Sequence, residues 1–292
     1  MVETAIAITP KGPFSWEAAM DVIGNFSPMT QHWEGSSELV RMTFPLDGSF
    51  VPVGVALRFR EGRLHADVTG SDDLRRVERQ VARIFSLDHD GTEYAAVGRR
   101  DPKIGHLMAA LPGLRPLNFT SPYETAAWGV MSQRISMRQA ARVKAGLIAA
   151  HGTRLSVAGE EVSCFPTPGQ LAGVDSIAGL NAEKVDRLKA VARAALDGKL
   201  DPDRLRQLGD EAGPASVGTF PASGPSGPPE STSGDAASST SFRMSRSRSP
   251  RLAICMASVI RRPDGISTAS PMSTVRFACG SASSCAWPRI EA

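Results

Sequence analysis

Gln133, Arg134 and Ser136 set an amide, a guanidinium and a hydroxyl within four residues, at a break between two stretches of helical apolar spacing. Such a group offers hydrogen bonds and a fixed positive charge, and no nucleophile or acid–base pair. It suits holding a partner better than breaking a bond. The same residues have plainer uses. Ser136 can cap the helix that follows, and Gln133 can close the elbow with its amide. The metal-binding residue types form no pattern. There are four cysteines, none in a Cys-x-x-Cys pair, and five scattered histidines. A zinc site or iron–sulfur cluster is not expected, and no cofactor is implied. The thiols read as unpaired and without a role.

Two helices must position the elbow. Ser121 followed by Pro122 starts the first, with Pro at the first helical position. Tyr123, Ala126, Ala127, Val130 and Met131 recur along it at helical spacing. Ser136 opens the second, where Met137, Ala140, Ala141, Lys144, Leu147 and Ile148 share a face. Tyr123 and Trp128 read as core residues rather than stacking surfaces.

Upstream, Thr4–Ile8, Leu39–Phe44, Val51–Arg60 and Gly62–Val68 alternate as strands, with a turn at Glu61-Gly62. Ser15 opens a helix carrying Trp16, Met20, Val22, Ile23 and Phe26. Ser71-Asp72-Asp73 caps another, with Leu74, Val77, Val81, Ile84 and Phe85 inward. Residues 1–90 therefore read as a small α+β domain. Gly98 to Leu114 reads as a crossing helix and loop, with Ile104, Leu107 and Met108 as its apolar contacts. Thr167-Pro168 and Asn181 each start a further helix. The second has Val185, Leu188, Val191 and Ala195 inward and Gly198 after its end, and Arg204 to Gly209 begins one more. Residues 91–210 read as a helical layer, and the fold class is α+β.

After about residue 210 the character changes. Ser, Gly and Pro dominate, periodicity is lost, and no Lys follows Lys199. Composition predicts disorder for 211–292. Ser245-Arg246-Ser247-Arg248-Ser249-Pro250 resembles an Arg–Ser segment of RNA-associated proteins. The net charge of +3 permits a nucleic-acid partner without arguing for one. The first residues lack the pattern of a signal peptide, and no stretch is long and apolar enough to span a membrane. The reading is a cytoplasmic protein, a monomer, with no membrane partner.

Four pieces in series carry a resemblance: Gly113-Leu114-Arg115-Pro116, Pro122-Tyr123-Glu124, Gln133-Arg134-Ile135-Ser136 and Phe165-Pro166-Thr167-Pro168. In order and spacing they are similar to the DNA-3-methyladenine glycosylase II family of the helix-hairpin-helix DNA glycosylases. The resemblance covers roughly Phe14 to Gly209. It implies a curved antiparallel sheet leaning on a helical glycosylase core. It implies hydrolysis of the N-glycosidic bond of alkylated purines in double-stranded DNA, without metal or cofactor. It assigns Gln133, Arg134 and Ser136 to DNA binding, at an elbow that enters the duplex where the base has left. The family often has an apolar wedge at the position of Arg134, and an arginine there would fill the gap by stacking.

The family pattern also requires a Leu-Pro-Gly-Ile-Gly-Pro hairpin and, about twenty residues later, a catalytic Asp. Neither stands in the tail as written, so no catalytic residue is assigned. Taking the third base of each codon with the first two of the next changes this. Thr219 to Pro228 then permit Leu-Pro-Gly-Ile-Gly-Pro-Phe-Trp-Ala, and Ser239 into Thr240 permits Asp. Cys279 to Arg289 permit the apolar run Trp-Val-Cys-Val-Leu-Leu-Arg-Val-Ala-Ala. A slip of one or two bases between about Gly209 and Gly218 would account for all three. The expectation is a repair glycosylase that is inactive as written. Its helices at Ser136–His151 and Asn181–Asp197 would then present uncovered apolar faces. The rival reading is a non-enzymatic nucleic-acid-binding protein with an Arg–Ser tail.

Overall fold

The computed structural model describes residues 4–26, 29, 33–36 and 38–208. The expectations for 211–292, namely lack of structure, the Arg–Ser segment and the hidden hairpin and Asp, lie outside the described residues.

Five strands form one antiparallel sheet: β1 (Thr4–Ile8), β2 (Trp33–Ser36), β3 (Leu39–Pro45), β4 (Pro52–Arg60) and β5 (Arg63–Thr69), in the order β1-β5-β4-β3-β2. The β4–β5 register pairs Arg60 with Arg63 across the two-residue turn Glu61-Gly62. Both turn residues have positive φ, 51° and 72°, which matches the twist of the flanking strands. Period-two alternation sends Val53, Val55 and Leu57 to one face, with Met42 and Phe44 from β3 and Leu64, Ala66 and Val68 from β5. Helices α1 (Trp16–Asn25) and α2 (Leu74–Ile84) cover that face, with Trp16, Ala19, Ile23, Val77, Val81 and Ile84 in the shared core. Each Val or Ile among them contributes roughly 1.5–3 kcal/mol when fully buried. Ser15 and Asp73 cap these helices through Ala18 N–H (3.1 Å) and Arg76 N–H (3.1 Å).

Next come α3 (Tyr94–Arg100) and α4 (Pro102–Ala110), two short helices rather than one crossing helix. They meet at glycines: a Cβ on Gly105 would sit 2.8 Å from the Gly98 carbonyl oxygen. This close approach leaves Ile104 and Leu107 outside, 38% and 50% exposed, where the sequence suggested apolar contacts. Met108 is half-buried.

The second core is built by α5 (Pro122–Met131), α6 (Met137–His151), α7 (Pro168–Ala172) and α8 (Ala182–Leu196), followed by a helical turn over 202–208. Ser121, Ser136, Thr167 and Asn181 cap the four helices, and Thr167 forms a full capping box with Gln170. The large apolar residues of α6 and α8 are buried, including Leu147, Ile148, Val185, Leu188 and Val191. The expected uncovered faces are therefore not on these helices, apart from Leu196 at the end of α8, 55% exposed. Arg138, Gln139 and Arg142 with small residues (Ala145, Gly146, Ala149 and Ala150) make up the outer side of α6.

The helical half also carries a hairpin that the sequence reading omitted, β6 (Arg154–Val157) and β7 (Glu160–Ser163). Four residues per strand give too short an alternation to stand out, and its turn is Ala158-Gly159, both at positive φ. It lies on the outer face of the sheet, where Val157 and Val162 pack on Ala56. Arg41 Nε donates to the Val157 carbonyl (3.0 Å), and Thr43 Oγ1 to that of Ser163 (3.0 Å). The fit is close: a Cβ on Gly54 would stand 2.4 Å from Val157 Cγ2. Gly54→Ala should cost about 1–3 kcal/mol by overpacking this seam, measured by chemical denaturation. An unchanged midpoint would mean that the hairpin can lift off the sheet freely.

Polar ties join the segment after α4 to α2. Gln80 Nε2 donates to the Thr120 carbonyl (2.9 Å), Arg83 to the same oxygen (2.8 Å), and Asn118 Nδ2 to the Arg83 carbonyl (2.8 Å). Arg83 also pairs with Asp47 at 2.5 Å. Burial pushes the Asp47 carboxyl above its ordinary value, against the pull of Arg83.

Candidate functional site

Three of the four motif pieces that stood out in the sequence prove to be scaffold. Arg115 is buried and spreads its guanidinium over main-chain oxygens: Pro13 (2.9 Å), Ser86 (3.0 Å), His89 (3.1 Å), Gly12 (3.2 Å) and Lys11. A rigid fork of five donors suits that task where an ammonium would not. Tyr123 donates its hydroxyl to the Pro166 carbonyl at 3.0 Å and sets its ring edge-on to Phe165 at 5.6 Å. This contact explains why the Pro-Tyr-Glu and Phe-Pro-Thr-Pro pieces occur together. Burial, with Glu124 beside it, raises the phenol well above its ordinary value. Trp128 is buried in the same core, in line with its reading as a core residue.

Glu124 is fully buried and held on both sides. Lys144 Nζ lies 2.5 Å from one carboxylate oxygen; the other accepts from the Thr120 amide (3.2 Å) and hydroxyl. The ammonium also sits over the rings of Phe119 (5.1 Å) and Trp128 (5.9 Å). Burial lowers the Lys144 value and Glu124 opposes that shift. A carboxylate so enclosed cannot reach a substrate. Cys164 is likewise buried, and desolvation raises its thiol, which keeps it inert. Among the described residues no group of three or more His, Cys, Asp or Glu could hold a metal ion.

The elbow is different, because it faces out. Helix α5 ends at Met131, where the Ser132 amide donates to the Trp128 carbonyl (2.9 Å). Gln133 is half-buried, and Arg134 and Ser136 are exposed. Ser136 accepts from the Gln139 amide at 3.2 Å and so caps α6. Its hydroxyl has the plainer of its two suggested uses. Arg134 has φ of 55°, a left-handed conformation that costs a residue with a side chain roughly 1 kcal/mol or more. The chain turns tightly there, with the exposed Arg134 in the turn.

Two residues that sequence reasoning missed hold the elbow from α8. Lys184 Nζ donates to the carbonyls of Met131 (3.1 Å) and Gln133 (2.6 Å). Arg187 donates to Gln133 Oε1 at 3.2 Å and pairs with Glu183. Gln133 thus closes the elbow with its amide, as one of its readings had it. A signal existed in the sequence. Lys184 is the third residue after the Asn181 cap, at the positive end of the helix dipole, where a cation is disfavoured. Desolvation lowers the Lys184 ammonium, and the charges of Arg187 and Arg134 add to the effect. Three cations therefore converge on one exposed turn.

No family model matches the chain. It is 35% identical over 101 residues to DNA-3-methyladenine glycosylase 2 of Escherichia coli, across 33% of this chain and 36% of that protein. It is 25% identical over 132 residues to a DNA-3-methyladenine glycosylase of Bacillus subtilis, across 42% of each. The chain thus matches well under half the length of these relatives. In fold it is similar to a 3-methyladenine DNA-glycosylase from Archaeoglobus fulgidus, with a TM-score of 0.57 and 19% identity, over 73% of this chain and 77% of that one. It is also similar to the 8-oxoguanine glycosylase/lyase of Clostridium acetobutylicum bound to double-stranded DNA, with a TM-score of 0.52 and 15% identity, over 76% and 75%.

Proposed function

We infer that this chain, which belongs with the helix-hairpin-helix DNA glycosylases in sequence and in fold, comes from a base-excision repair enzyme that removes alkylated purines from double-stranded DNA. The observation that carries the reading is the elbow: an exposed arginine in a strained turn that Lys184 and Arg187 tie to α8.

The chemistry asks for three things. A glycosylase draws the target nucleotide out of the duplex, and something must fill the gap it leaves. Arg134 is suited to that, since a planar guanidinium can stack between bases while its charge favours the phosphates. The alkylated purine is cationic, which weakens its glycosidic bond. The remaining needs are a seat for the phosphate beside the flipped nucleotide and a carboxylate for the cationic sugar of the transition state. The family pattern puts both after residue 210. We propose that a slip of reading frame between about Gly209 and Gly218 has removed them from this chain. Its described residues then constitute the binding half of a glycosylase that acts as a monomer.

The elbow can be tested apart from catalysis. The chain as written should bind a duplex carrying a tetrahydrofuran abasic analogue more tightly than the same duplex intact. Arg134→Gly should abolish that preference. It should also stabilise the fold by about 0.5–1 kcal/mol, since glycine adopts positive φ without the Cβ penalty. Retained preference in Arg134→Gly would remove Arg134 from the interface. Base release by the chain with its second reading frame restored separates this reading from a non-enzymatic nucleic-acid-binding protein.

A further inference from the structure

Lys184 and Arg187 are unexplained by the assignment of the elbow alone. Lys184 sits where its own helix repels it, and its ammonium reaches away from that helix to the end of another. The Met131 carbonyl belongs to the last residue of α5, at the negative end of its dipole. The Gln133 carbonyl, at 2.6 Å, lies one residue before Arg134. Arg187 takes the Gln133 side chain, so Gln133 is tied to α8 by its main chain and its amide together. Glu183 pairs with Arg187 and orients it. These ties hold three like charges close, although they would otherwise separate.

We propose that Lys184 and Arg187 are positioning residues that clamp the α5–α6 elbow onto α8 and so hold Arg134 projecting into the gap left by a displaced base. The proposal rests on the glycosylase reading of the elbow. The clamp acts through Gln133, and neither cation needs to touch the DNA.

A direct phosphate contact and a clamp leave different traces. Losing a phosphate contact weakens binding to any duplex and lowers the slope of log affinity against log salt by about 0.9. Losing a clamp affects only what the elbow does. Full-length wild type, Lys184→Met and Lys184→Arg should be titrated with the tetrahydrofuran duplex and with its intact counterpart, by fluorescence anisotropy at several salt concentrations. Amide hydrogen exchange should be followed in the free proteins. Lys184→Met should lose about tenfold in affinity for the abasic duplex, the scale of one charged hydrogen bond. It should bind the intact duplex almost as before, with an unchanged salt slope. Exchange should quicken at residues 132–136 and not in the sheet. Lys184→Arg should restore most of the preference, and Arg187→Gln should show the Lys184→Met signature more weakly. Equal loss on both duplexes, a salt slope lower by about one, or unchanged exchange at the elbow would each overturn the clamp. If wild type prefers neither duplex, the glycosylase reading falls instead, and the exchange data still decide whether Lys184 holds the elbow.

Discussion

Lys144→Met should destabilise the protein by about 3–5 kcal/mol, and adding Glu124→Gln should recover much of that loss. Both side chains of this pair are fully buried. Taking one charge away does not merely delete an attraction. It strands the Glu124 carboxylate in a buried site without its counter-ion, beside the Thr120 amide and hydroxyl. Neutralising the partner as well removes the stranded charge. A stranded carboxylate also brings a pH dependence of known sign. In Lys144→Met, burial without a counter-ion raises the Glu124 value above that of the unfolded chain. The folded variant then binds more protons than its unfolded form. Its stability is therefore greatest below the ordinary carboxylate range and is lost as pH rises from there through the raised folded value. Urea denaturation of wild type and variant at pH 5 and pH 8 measures this. A loss below about 1 kcal/mol, independent of pH, would mean that water enters the site once the ammonium is gone.

Local signals were legible in the sequence and partner-determined ones were not. Ser15, Asp73, Ser121, Ser136, Thr167 and Asn181 all cap where their types and the following apolar periods suggested. A cap is settled within four residues, so one stretch of chain contains the whole interaction. The β4–β5 register followed from Glu61-Gly62 for the same reason. The β6–β7 hairpin did not, because what holds it is Ala56, Arg41 and Thr43, more than a hundred residues away. The exposure of Ile104 and Leu107 came from a glycine contact between two helices, which periodicity cannot express. The candidate site divides in the same manner. Gln133, Arg134 and Ser136 were visible as a helix break followed by a cap. Lys184 and Arg187 act some fifty residues away in sequence, and only the packing of α8 against the end of α5 brings them there. The motif pieces divide along the same line, and the core reading of Tyr123 holds. Arg115, Tyr123 and Glu124 are the residue types of catalysis, and all three are spent on holding main chain and motif to motif.

Restoring the second reading frame near Gly213 should turn a chain with no measurable base release into one that frees methylated purines from duplex DNA. The described residues end in a helical turn over 202–208 whose position is fixed. Arg206 pairs with Asp88, and Asp203 lies 3.6 Å from Arg79 of α2. The chain is thereby delivered at a defined place shortly before the codons of Thr219 to Pro228, under which Leu-Pro-Gly-Ile-Gly-Pro can be read. A hairpin beginning there would offer backbone amides to a phosphate, and the Asp permitted at Ser239–Thr240 would follow at the spacing the family pattern asks for. Electrostatic groups aimed at a developing charge are each worth about a hundredfold or more in rate. The loss of both would put the chain as written at least about ten-thousandfold below the restored one. The exposed Leu196 and Leu208 at the end of the described residues would gain neighbours in the restored protein, so its soluble yield should rise too. The comparison uses both full-length chains on one duplex carrying methylated purines, with released base measured by chromatography, alongside deep sequencing of the genomic DNA across codons 209–218. Genomic DNA that encodes the chain as written across these codons would exclude a sequencing slip, and equal release by the two chains would put the catalytic group within the first 210 residues, against the proposed placement.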